Sequence, residues 1–161
     1  MTLWQRYRRL NQNERRALHL SLLALPVISL GLHLTSFRRW QRALSHLSPA
    51  PPPQALPTSD SEWGPARTVA RMVDAAGRHV WPHTRCLERS LTAWWLLRWK
   101  GLPVNLRIGV RKNNGILQAH AWLEISGVVL NDTAEIYRGY TAFERAIDST
   151  RRSAAPLQPP A

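Results

Sequence analysis

The chain has 161 residues, with 22 Lys/Arg against 10 Asp/Glu and a formal net charge of +12. That length suits about one domain, and a hydrophobic content of 44% argues against global disorder. The one cysteine, Cys86, excludes an internal disulfide framework and fits a reducing compartment.

Residues 1–47 read as a basic helical arm. Residues 1–42 hold eight arginines and one acid, Glu14, for +7, and Asn13 is a candidate N-cap before "ERRALHL". Such an arm suits nucleic acid, anionic lipid or an acidic peptide, and charge alone does not choose among them. Ala17–Leu34, "ALHLSLLALPVISLGLHL", lies at the short end of the ~17–25 residues needed to span a bilayer. It contains His19, Ser21, Pro26, Ser29 and His33, and no small-residue cleavage site follows it. The expectation is one or two apolar helices broken at Pro26, packed on the domain or a partner, with weak membrane-surface contact as the lesser option.

Residues 48–59 open with "SPAPPPQALP", a proline-rich linker. From 60 to 150 the globular domain itself is expected. "DSEWGPARTVARMVDAAGRH" (60–79) begins with Asp60 and Ser61 as caps, and Val69, Met72, Val73 and Ala76 recur at helical spacing. "VWPHTR" (80–85) is a loop. His79 and His83 have no second pair to complete a zinc set, so no metal is expected.

A helix starts at Cys86, with Leu87, Leu91, Trp94, Trp95 and Leu97 as its apolar positions and Gly101 closing it. The period then changes to two. "NLRIGVR" (105–111) and "ILQAHAWLEI" (116–125) flank a turn at Asn114-Gly115, and "VVLND" (128–132) returns after Ser126-Gly127. Gln118, His120, Trp122 and Glu124 share one strand face. Residues 151–161 are expected to be a disordered tail. A helix followed by an antiparallel meander makes the class α+β.

If a three-residue loop joins the last two strands, Glu124 faces Val128 and His120 faces Asp132, close enough for carboxylate and imidazole to bond. A two-residue turn would shift the register by one and put the two residues on opposite faces. Cys86, where a loop becomes a helix, has the positive helix end beside its sulfur, which favours a thiolate. Cys86 would attack a carbonyl, His120 would move the proton and Asp132 would orient His120. The Cys86 amide is one candidate oxyanion donor and Gln118 a second, while Trp122 is the tryptophan expected to contact substrate. Against this stands the commoner lot of a lone cysteine, a small buried hydrophobe.

The ordered set "CLERSLTAWWLLRWKGLPVNLRIGVR", "AHAWLE" and "ND" resembles the transglutaminase-like branch of the papain-type cysteine peptidases. Within it, the set is similar to the leader peptidases of lasso-peptide biosynthesis, over Ala66 to about Phe143. The resemblance implies a transglutaminase-like core in which Cys86, His120 and Asp132 form the triad and no cofactor is used. It implies hydrolysis of one bond in a ribosomally made precursor peptide, releasing the leader from the core. It also implies a separate leader-recognition protein, a lasso cyclase acting next, a bacterial cytoplasmic setting with membrane association as an option, and a pocket near Cys86 for a threonine side chain. Two other readings stay open. One is a transglutaminase-like acyltransferase; the other is a non-enzymatic basic binding module. Arginines and aromatics do not interleave here, so nucleic acid is not expected as a partner.

Overall fold

The structure is a computed structural model that describes residues 3–48, 60–80, 84–133 and 139–143. Residues 49–59 of the expected 48–59 linker and the tail 151–161 lie outside the described residues, as do the side chains of the expected caps Asp60 and Ser61. Among the described residues five helices come first: α1 (Leu3–Arg8), α2 (Gln12–Leu34), α3 (Phe37–Leu47), α4 (Asp60–Gly77) and α5 (Cys86–Trp99). Four strands follow: β1 (Asn105–Asn113), β2 (Ile116–Ile125), β3 (Val128–Val129) and β4 (Thr141–Ala142). They form one antiparallel sheet in the order β3-β2-β1-β4, so the α+β class holds.

The capping residue of α2 is Asn11, two positions before the expected one. Its Oδ1 accepts the Glu14 amide, while the Glu14 carboxylate accepts the Asn11 amide. The helix is continuous through Pro26, against the expectation of a break. Proline removes one backbone hydrogen bond, but Pro26 and Leu22, whose carbonyl loses its partner, both lie on the exposed face. On the opposite face Leu25 and Ile28 are buried and fix the helix on both sides of the proline.

Central to the molecule is α5, buried on nearly every side, its polar Glu88, Ser90, Thr92 and Arg98 included. Leu91, Trp94 and Leu97 are fully buried and share a core with Leu25 and Ile28 of α2, Val69 and Val73 of α4, and Leu106, Leu123 and Ile125 of the sheet. Gly101, with φ of 76°, ends the helix in the left-handed conformation expected of it.

Asn114 and Gly115, both at positive φ, make the two-residue turn between β1 and β2. The β2–β3 turn departs from expectation. Ser126 (φ 49°) and Gly127 (φ 80°) are both left-handed, giving a two-residue turn that pairs Ile125 with Val128 and Glu124 with Val129. The register is therefore one residue away from the one that opposes His120 to Asp132.

Candidate active site

Cys86 is the first residue of α5, preceded by Arg85 in extended conformation. Amides in a first helical turn have no acceptor within the helix, so the positive end of α5 is directed at the sulfur and the Cys86 N–H is free by position to meet an oxyanion. The turn is anchored by Glu88. One carboxylate oxygen accepts the Arg85 amide at 2.5 Å; the other accepts the Ser29 hydroxyl of α2 at 2.9 Å. This carboxylate is buried, and these two hydrogen bonds tie the start of α5 to α2.

His120 and Asp132 meet despite the shifted register. β3 ends after two residues and the chain bends through Leu130–Asp132. At the bend the Asn131 side chain takes over from backbone, its Oδ1 accepting the Leu123 amide at 2.8 Å. Leaving the ladder here lets Asp132 swing to the imidazole, and His120 Nε2 lies 2.5 Å from Asp132 Oδ2. The second carboxylate oxygen accepts the Thr133 amide at 2.9 Å, so the carboxylate is held at both ends. With Nε2 committed to Asp132, Nδ1 is the nitrogen left for proton exchange with a nucleophile.

Cys86 and His120 line the same cleft of about 120 Å³, together with Ala70, Val73, Ala93 and Ala121. Its polar lining is Asp74, Arg89, Ser90 and Asn131. Asn131 Nδ2 donates to Ser90 Oγ, which in turn donates to the Ala121 carbonyl, bolting α5 to β2 beside the cleft. Arg89 donates to Asp74, Thr84 and the Gly77 carbonyl, closing the end of α4 onto the approach to Cys86. The arrangement can hold a sulfur nucleophile, a proton carrier and an orienting carboxylate around a small apolar hollow.

The other expected contacts fall differently. Gln118 presents its Oε1 to Arg111 Nε at 2.8 Å and is not among the residues lining the cleft. Trp122 is buried rather than exposed. Its indole N–H donates to Glu124, and its ring stacks on His120 with centroids 6.2 Å apart, so it backs the imidazole. The room for that ring comes from Gly109, paired with His120 across β1 and β2. Of the two histidines shortly before Cys86, His79 is exposed outside the cleft and His83 lies outside the described residues.

Sequence reasoning missed Asn131, Ser90, the Asp74–Arg89 pair and Tyr140. Tyr140 lies 5.1 Å from the His120 ring, with the Arg111 guanidinium over its ring at 4.6 Å. Its place depends on β4 pairing with β1, more than thirty residues earlier, which no local pattern announces.

No curated protein and no solved structure gives a significant match to this chain. A family model described as the transglutaminase-like superfamily matches residues 25–145, from the second half of α2 to the sheet and including every residue of the cleft, and the chain belongs to that superfamily.

Proposed function

We propose that the protein is a cysteine peptidase that removes the leader from a ribosomally made lasso-peptide precursor. The observation that carries the enzymatic part is the 2.5 Å contact of His120 Nε2 with Asp132 in a cleft shared with Cys86. The substrate class is supported by the ordered motif set around Cys86, "AHAWLE" and "ND".

The Cys86 sulfur adds to the scissile carbonyl as His120 Nδ1 accepts its proton, and the Cys86 N–H bonds the developing oxyanion. The imidazolium is stabilised by Asp132 and gives its proton to the leaving amine, which departs as the new N-terminus of the core. Water, deprotonated by His120, then hydrolyses the thioester and frees the leader's carboxylate. Ala70, Val73, Ala93 and Ala121 leave a hollow fit for a side chain of threonine size next to the sulfur. A separate recognition protein presents the leader, and a cyclase uses the released core.

The test is mass spectrometry of a precursor peptide incubated with recognition partner and either wild type or Cys86→Ala. Leader and core fragments with wild type alone are expected. No cleavage by wild type, with an added amine incorporated into the peptide instead, would replace peptidase by acyltransferase.

A further inference from the structure

We infer that the outward face of α2, with the apolar groove beside it, is a seat for an anionic lipid bilayer, on which the protein lies without spanning it. Leu20, Leu23, Val27, Leu30 and Leu34 are each more than half exposed and follow one another at intervals of three and four residues, a single apolar stripe. Next to the stripe is a groove of about 670 Å³, walled by Leu20, Leu23 and Val27 on one side and by Leu47, Trp95 and Trp99 on the other. Its charged lining residues are Arg16 and Lys100.

The charge pattern selects the occupant. Residues 17–37 contain no Lys, Arg, Asp or Glu, whereas Arg15 and Arg16 precede them and Arg38, Arg39 and Arg42 follow. A seam for a partner helix is normally flanked by charges that fix the pairing, but the residues flanking this stripe are His19, Pro26 and His33. A second copy would bring arginine clusters against each other. An apolar middle with basic ends suits acyl chains bordered by anionic headgroups, and the exposed Trp4 and Trp99 suit the same boundary.

Among the described residues α2 is the one helix long and apolar enough to cross a membrane, yet the structure argues against crossing. Its other face, with Leu25, Ile28 and the Ser29–Glu88 bond, is buried in the core, so spanning would dismantle the cleft as well. Lying flat leaves the cleft open. Trp99 and Cys86 are the two ends of α5, about 20 Å apart at 1.5 Å per residue.

The test is flotation of the full chain with vesicles of phosphatidylglycerol plus phosphatidylcholine, and of phosphatidylcholine alone, at low and high salt. Wild type is expected to float with the anionic vesicles and to be released by salt. Leu23→Ser combined with Leu30→Ser, both at exposed positions, should lower the partition coefficient about tenfold or more with an unchanged circular dichroism spectrum. Arg38→Gln, Arg39→Gln and Arg42→Gln together, which leave the apolar stripe intact, should weaken binding to anionic vesicles only. No flotation of wild type, or equal flotation with both vesicle types at every salt concentration, would overturn the inference. So would a wild-type dimer in light scattering that the leucine variant dissociates, which would assign the face to self-association.

Discussion

Asp132 holds His120 with one carboxylate oxygen and the Thr133 amide with the other, so its removal frees the imidazole to turn without taking it away. Cys86→Ala and His120→Ala, by contrast, delete the nucleophile and the proton carrier. Precursor cleavage should fall by about 10⁴-fold or more in either, and Asp132→Ala should lose about a hundredfold less. Single-turnover rates with unchanged thermal melting would check this, and wild-type activity in Asp132→Ala would remove the aspartate from the site. Of the candidate site, Cys86 and His120 were legible because each sits at a local signal, a helix start and an alternating strand; Asp132 was reached through a register that the structure does not adopt, and it meets His120 because β3 stops at Val129. Asn131 carried no such signal, since its role is to replace a backbone acceptor where the ladder stops, and only the assembled bend reveals that need. Strand alternation gives the face of Trp122, but the burial of its ring comes from the space above Gly109, on another strand, which no local pattern announces.

At the scale of elements, β1 and β2 position the imidazole through a ring stack. A Cβ added at Gly109 would lie 2.8 Å from the Trp122 ring and 3.1 Å from the Thr141 carbonyl, so neither side can take it without moving. Gly109→Ala should cost about 1–3 kcal/mol in chemical denaturation and lower kcat by tilting Trp122 and with it His120. Unchanged kcat with lowered stability would show that the stack does not position the imidazole. The start of α5 has its own dependence. Glu88→Ala would leave the buried Ser29 hydroxyl and the Arg85 amide without their shared acceptor, which should cost about 2–3 kcal/mol by denaturant titration. Helices and hairpin turns were readable from period and from Asn-Gly, but the second turn was not. Ser126 adopts a left-handed φ that a three-residue loop would have left to Gly127, and that choice shifted the pairing by one.

For the whole molecule, the question is whether the N-terminal helices are an appendage or part of one folding unit. A proline run is conspicuous in sequence and invites a division there, whereas docking of two segments across it leaves no local mark. Leu25 and Ile28 of α2 lie in the same core as Leu91 and Leu97 of α5, and Ser29 bonds the carboxylate that anchors the turn bearing Cys86. Truncating Ile28 removes packing from that shared core, not from a detached arm. Ile28→Ala should therefore destabilise the protein by about 2–5 kcal/mol, with helical circular dichroism and tryptophan fluorescence falling in one coincident transition. Two separated transitions, the first taking helix signal while fluorescence and peptide cleavage persist, would make residues 1–47 an independent unit. A single transition would mean that whatever engages the outward face of α2 also stabilises the cleft, because a ligand that binds only the folded state lowers the population of every unfolded part in proportion.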